Sequence, residues 1–183
     1  METYLISDSH FGHANICKFL REDGTKLRPW DDPDEMDVVM VERWNSVVKP
    51  GDVVYHLGDV AMNRRHIKTM GLLNGSKRLI LGNHDIFDHS DYTPYFKRLH
   101  GSYKLDDLLL THIPVHRDSV ARWSSCCVHG HLHDKEVMKV IDGTSVPDPL
   151  YINVCVEHTD YRPIALYEVK ERISARKQLY GQD

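Results

Sequence analysis

Long apolar runs are missing from this sequence, and so are basic tracts, internal repeats and low-complexity segments. Without an uninterrupted apolar stretch of about 18 residues there is no candidate membrane helix. The first residues, Met-Glu-Thr-Tyr-Leu-Ile-Ser, have neither a basic start nor a long apolar core, so they do not read as a secretory signal. Lysine and arginine number 23 against 27 acidic residues, for a formal net charge of −4. That balance gives no broad electrostatic footprint for nucleic acid, and a phosphate-bearing substrate has to find positive charge locally. Cysteine is scarce as well. Cys17, Cys126, Cys127 and Cys155 form no C-x-x-C pair, which excludes a zinc knuckle or a dithiol redox motif and leaves reduced, buried thiols. The cytoplasm is the expected location.

What is present suits one folded domain over residues 1–183. Hydrophobic residues make up 41% and charged residues 27%, as in ordinary globular chains. Apolar runs at 3–7, 52–57, 78–81, 108–111, 126–129, 151–154 and 164–169 read as strands. Asp32-Pro33 has the form of an N-cap followed by proline at the first helical position. The helix it opens carries Met36, Val39, Met40, Trp44 and Val47 on one face and stops at Pro50-Gly51. Further helices are expected over 64–73 and 170–179, and a surface loop over 141–149. The early alternation of strand and helix, followed by a strand-rich second half, predicts an α/β fold with mixed sheets covered by helices.

The chain holds 13 histidines, and the informative ones follow strand ends. Asp8-Ser9-His10 follows the first strand, Gly58-Asp59 the second and Gly82-Asn83-His84-Asp85 the third. Thr111-His112 and His129-Gly130-His131-Leu132-His133 follow later ones. Loops beyond the strand ends of such sheets converge on one crevice. Carboxylate, amide and imidazole donors without thiolate suit Mn, Fe, Zn, Ni or Co, and argue against a structural zinc site. Asp8 and His10 stand two apart, so in an extended segment both point the same way, and His131 and His133 repeat the relation. A carboxylate such as Asp59 can bridge two cations. Two divalent ions would outweigh two aspartates and a bridging hydroxide by about one positive charge, enough to attract a phosphate anion to an acidic protein.

Taken in order, Asp8-x-His10, Gly58-Asp59, Gly82-Asn83-His84-Asp85, His112 and Gly130-His131-x-His133 resemble the calcineurin-like metallophosphoesterases. Within that superfamily the chain is similar to small phage and bacterial phosphoesterases that begin with D-x-H-F-G-H-x-N-I, here Asp8 to Ile16. The similarity extends to Arg28-Pro29, Trp44-Asn45, Tyr55 to Asp59 and Tyr161-Arg162-Pro163. The resemblance implies a four-layer α-β-β-α sandwich with two mixed sheets between helices. It implies that Asp8, His10, Asp59 and His133 hold one metal, and that Asp59, Asn83, His112 and His131 hold a second. His84 would be the general acid, with Asp85 orienting it, and a hydroxide between the metals would attack phosphorus in line. Manganese is the favoured ion, with Fe, Zn, Ni, Co or Mg as alternatives.

Expected substrates are small phosphorylated molecules or nucleotides, with phosphodiesters ahead of monoesters; short nucleic acids are the nuclease alternative. A non-catalytic scaffold of the same fold is the rival from another class, against which stand His84 and all seven ligand residues. His13, Arg28, His116 and Arg162 are candidate substrate contacts. Packing competes with phosphate binding at His13, Arg28 and Arg162, and His129 reads as a core residue at a strand end or as one that supports the metal ligands from behind.

Overall fold

The computed structural model describes residues 1–181; residues 182–183, the end of the expected 1–183 domain, lie outside the described residues. Helix α1 (Pro33–Val47) begins as expected, with the Asp32 side chain accepting from the backbone N–H of Asp34 and proline at its first turn. Its buried residues Met36, Met40 and Trp44 recur every four positions and so form one stripe. The indole N–H of Trp44 donates to the carbonyl of Asn74 at 3.0 Å, which fixes the helix against the chain entering the third strand.

Strands β1 (Thr3–Ile6), β2 (Val53–His56), β3 (Ser76–Ile80) and β4 (Arg98–His100) run parallel in one sheet. In the second half of the chain, β5 (Tyr103–Leu105), β6 (Leu108–Leu110), β7 (Cys126–His129) and β10 (Tyr151–Asn153) form another. Between β7 and β10 the chain makes a two-stranded ribbon, β8 (Met138–Ile141) and β9 (Thr144–Pro147). A last short strand, β11 (Ile164–Ala165), adds antiparallel to β1. The sheet orders are β11-β1-β2-β3-β4 and β10-β7-β6-β5, and β5 is the antiparallel member of the second. Helix α2 (His89–Tyr92) lies beyond β3, α3 (Arg117–Trp123) beyond β6, and α4 (Leu166–Tyr180) follows β11.

Three apolar clusters fix the layers. Met36, Met40 and Trp44 of α1, with Ile67 and Met70, pack on Ile6, Val54 and Leu79 of the first sheet. Leu5, Tyr55 and Ile80 meet Leu108, Leu110, Cys126, Val128 and Ile152 between the sheets. Val120 of α3 covers Cys127 and Tyr151 on the outer face of the second sheet. The result is the expected helix–sheet–sheet–helix order, with two mixed sheets. No helix among the described residues is long and apolar enough to cross a membrane.

Three expectations are corrected. Residues Arg64–Leu72 form a 3₁₀ helix rather than an α-helix. Ile67, Met70 and Leu73 are buried at a spacing of three, the period at which 3₁₀ side chains eclipse. The run at 164–169 stays extended for only two residues; α4 begins at Leu166, because Val169 and Ile173 are spaced to bury one helical face. Residues 141–149 are not a loop throughout. They include the ribbon turn Asp142-Gly143, both at positive φ (48° and 79°), the two-residue hairpin geometry that Asp-Gly favours. The strands β4 and β5 and the helices α2 and α3 are too short to carry a periodic signal.

Candidate metal centre

Every residue of the expected ligand set lies just past the C-terminal end of a parallel strand. Asp8 and His10 follow β1, Asp59 follows β2, Asn83 follows β3, His112 follows β6, and His131 and His133 follow β7. Two close groups result: Asp8, His10 and His133 bring one ligand atom each to within 4.8 Å of one another, and so do Asp59, His112 and His131. Asp59 joins them. Its Oδ1 accepts from the backbone N–H of His84 at 2.9 Å. That leaves Oδ2, which lies 3.5 Å from Nε2 of His10 in one group and 3.4 Å from Nε2 of His112 in the other.

The geometry that aims these side chains is not extended. Asp8, His10, Asp59, His131 and His133 all have positive φ, between 49° and 69°. The expectation that Asp8 and His10, or His131 and His133, share a direction by strand alternation is therefore corrected. Each of these five sits at a left-handed turn residue, a costly conformation that concentrates at functional sites. The surrounding chain enforces it. The N–H of Asp8 donates to Gly58 O and that of His10 to Asp59 O, both at 3.0 Å, so the first two loops lock together.

The motif glycines have a steric reason. A Cβ on Gly130 would stand 2.0 Å from Ser7 Oγ and 2.3 Å from Asp8 Oδ2, and one on Gly82 would stand 2.2 Å from Asp59 Oδ1. Only a hydrogen lets these backbones pass so close to the two carboxylates.

Buried donors and acceptors here are left without partners. Oδ1 of Asp8 and both ring nitrogens of His10 are buried and unbonded. Native interiors rarely strand such atoms, so the cluster fits metal ions. Other ring nitrogens are oriented for the same purpose. Nδ1 of His112 bonds Leu57 O at 2.7 Å and Nδ1 of His133 bonds Glu157 at 3.2 Å, which directs each Nε2 into the cluster. Nε2 of His112 lies 2.9 Å from Asn83 Oδ1, so these two donors converge.

Charge favours cation binding. Burial works to raise the Asp8 carboxyl, but contact with His10 and the charges of His10, His112 and His133 outweigh it and hold Asp8 well below the carboxylate range. Burial also opposes ionisation of Asp59, and its contact with His112 overcomes that. Burial holds His10 and His131 below the usual histidine range, toward the neutral form that binds metal.

The supporting residues differ from expectation. Asp85 does not orient His84 by a hydrogen bond to its ring. Its carboxylate accepts three backbone N–H groups, from Asp59 and Gly82 at 2.8 Å and from Val60 at 3.1 Å, and so ties the second and third loops together. His84 keeps its place at the cluster, its ring edge-on to that of His10 with centroids 5.5 Å apart. Arg28 is fully buried and is corrected from substrate contact to internal brace. It donates to Asp8 O at 2.6 Å, Ser9 O at 2.8 Å and Glu157 at 2.9 Å. Among the described contacts none joins Arg162 to a ligand residue; it lies in the turn after Asp160-Tyr161, and its charge acts on Arg172 of α4.

His13 does reach the cluster, ring edge-on to His10 at 5.5 Å, and its Nδ1 accepts from the N–H of Ile16. Burial, then the charges of its neighbours, depresses it to about 4, so it stands there neutral, with its proton on Nε2. His116 is exposed at the start of α3, where its Nδ1 accepts from Asp118 N–H. His129 is buried and bonds Gly130 O, as a core residue should. Glu157, with Arg28 on one side and His133 on the other, escaped the sequence reading because no motif surrounds it. Cys155, expected only to be buried, also donates its S–H to Asp8 Oδ2 at 3.1 Å.

A cleft of about 380 Å³ opens beside Asn83 and His112, walled by Leu81, Gly101, Ser102, Ile113 and Val115. A second groove, between α1 and the 3₁₀ segment and lined by Asp37, Val38, Val41, Glu42, His66 and Leu72, contains no residue of the expected ligand set.

The chain is similar to known proteins over most of its length. The chain is 33% identical over 168 residues to an uncharacterised protein of Methanocaldococcus jannaschii, covering 89% of this chain and 86% of that one. It is 30% identical over 205 residues to the gene 66 protein of Mycobacterium phage D29, covering 93% and 95%. A solved structure of a protein of unknown function from Aquifex aeolicus superposes with a TM-score of 0.64 at 27% identity, covering 93% of this chain and 98% of that one. The profile of the calcineurin-like phosphoesterases matches residues 1–164, and with the two-group ligand cluster at the strand ends the chain belongs to that family.

Proposed function

We propose that this metal-dependent phosphoesterase is a phosphodiesterase acting on small phosphorylated molecules or nucleotides. One observation carries the reading: Oδ2 of Asp59 stands between Nε2 of His10 and Nε2 of His112, where one carboxylate can serve two cations. Asp8, His10 and His133 would complete one side, and Asn83, His112 and His131 the other. Divalent ions, manganese by preference, supply Lewis acidity for the phosphoryl oxygens and for water.

The chain's own residues do the rest. His84, held by its backbone to Asp59, faces the cluster as proton donor to the leaving oxygen. His13 offers a neutral Nε2–H to a phosphoryl oxygen. Leu81, Ile113 and Val115 give the departing group an apolar wall. Two divalent ions against two aspartates and one hydroxide would leave about one positive charge, which suits a diester monoanion better than a monoester dianion. Four buried free thiols favour a reducing compartment, and we assign the protein to the cytoplasm.

The test is turnover of bis-p-nitrophenyl phosphate against p-nitrophenyl phosphate with Mn, Ni, Mg or Zn added to chelated protein. Metal-dependent activity with the larger kcat/KM on the diester is expected. A larger value on the monoester would make the enzyme a phosphatase, and full activity without metal would remove the reading altogether.

A further inference from the structure

The register across the first sheet sets Tyr55 of β2 opposite Arg78 of β3, and Arg78 opposite Arg98 of β4. These residues share one face, and His100, two residues beyond Arg98, shares it too. Tyr55 belongs to the core between the sheets, so this is the face that meets the second sheet. The row ends at β4, an edge strand, and the facing edge is β5. There Tyr103 closes the space. Its ring stacks on Tyr55 with centroids 5.2 Å apart and lies 4.8 Å from the ring of His100. Arg78, Arg98, His100 and Tyr103 line a cavity of about 290 Å³.

An apolar seam would be the ordinary way to close such an edge. Instead two guanidiniums face one cavity in a chain of net charge −4. Among the described residues no carboxylate pairs with either. Arg78 bonds the Tyr55 hydroxyl and lies over that ring at 5.0 Å from its centre. Nε2 of His100 is buried without a partner. Burial, then the nearby charges of Arg78 and Arg98, favours the neutral form of His100, so this ring adds no further charge. The cavity thus presents two planar cationic forks and an unmet imidazole nitrogen, a donor set that matches an oxyanion.

We propose that Arg78, Arg98, His100 and Tyr103 form a second anion site, distinct from the metal ligands, that takes a phosphate group. Its position suggests how it serves the enzyme. Gly101 and Ser102, which join His100 to Tyr103, also wall the cleft beside Asn83 and His112. Arg78 lies five residues before Asn83, at most about 16 Å of chain. A phosphate there is either a distal group of a substrate held at the metals or free inorganic phosphate. The first source rests on the phosphodiesterase reading; the existence of the site does not.

Inorganic phosphate is titrated into the zinc-loaded full chain while the His100 ring is followed by NMR. A saturable shift is expected, and Arg98→Gln, an exposed change that spares the core, weakens it about tenfold. Arg78→Gln should act likewise, with the melting temperature checked because Arg78 also holds Tyr55. A His100 signal that stays still while phosphate saturates the metal centre would overturn the site. So would an undiminished shift in Arg98→Gln.

The source is read from p-nitrophenyl esters of thymidine 3′-phosphate with and without a 5′-phosphate. A gain in kcat/KM from the 5′-phosphate that vanishes in Arg98→Gln assigns the site to substrate. Equal rates with the His100 shift intact assign it to free phosphate. If neither ester is hydrolysed with any metal, the phosphodiesterase reading fails, and the His100 titration still decides the anion site.

Discussion

Oε1 of Glu157 lies 3.2 Å from Nδ1 of His133, and the same oxygen accepts from Nε of Arg28 at 2.9 Å. Both carboxylate and guanidinium are buried. Burial opposes ionisation of Glu157, but Arg28 and the His133 contact hold its pKa down at about 2. One carboxylate therefore fixes the tautomer of a candidate ligand histidine while Arg28 pins the Asp8 and Ser9 carbonyls. Glu157→Gln keeps an acceptor and should fold, with metal affinity lower by about 10–100-fold in a calorimetric titration. Glu157→Ala strands a buried guanidinium and should cost about 3–5 kcal/mol in urea unfolding. Unchanged metal affinity in both variants would show that His133 needs no orienting partner.

Gly130→Ala tests the contact between the fifth loop and Asp8. The added methyl meets Ser7 Oγ and Asp8 Oδ2 inside van der Waals distance. Overpacking of that kind typically costs about 1–3 kcal/mol. Bound metal, counted by elemental analysis, should fall below wild type. Normal metal content would mean that the loop can shift without loss.

Asp85→Asn separates a structural from a catalytic role. The carboxylate accepts three N–H groups that an amide cannot all serve. A loss of about 1–3 kcal/mol in stability is expected alongside lower activity. Full stability with activity alone lost would restore a direct role for Asp85 in orienting His84.

His84→Ala tests the proton donor. An alkoxide leaving group needs a proton and p-nitrophenolate hardly does. The variant should lose about 10²–10⁴-fold on a nucleoside or alkyl ester and much less on the p-nitrophenyl ester. Metal content should stay near wild type, since His84 is not in either ligand group. Equal losses on both esters would make His84 a phosphate-positioning residue.

His56 gives the pH dependence. It is buried, with Nε2 2.9 Å from Ser9 Oγ, and burial lowers it to about 3. Ser9 already donates to Val60 O, so the ring is the donor between them. The unfolded chain takes up a proton near pH 6.5 and the folded chain does not until about 3, so His56 removes stability as pH falls through that window. At about 1.4 kcal/mol per unit, the effect is on the order of a few kcal/mol by pH 4. His56→Gln should flatten the melting temperature of chelated protein between pH 6.5 and 4. An unchanged slope would place the acid sensitivity elsewhere.

By itself the sequence determined the candidate ligand types, their order and the strand ends that carry them. Asp8, His10, Asp59, Asn83, His112, His131 and His133 were legible because each stands in a short motif behind an apolar run, and the alternation of runs gave the α/β layers. Only the tertiary structure decided how the site is held. Glu157 reaches His133 across 24 positions, and Arg28 reaches Glu157 across 129, so no local pattern records either contact. The left-handed turns that aim the ligands come from hydrogen bonds between separate loops, not from local propensity. The same holds for Arg78 and Arg98, twenty residues apart in the chain and side by side only because β3 and β4 pair in that register.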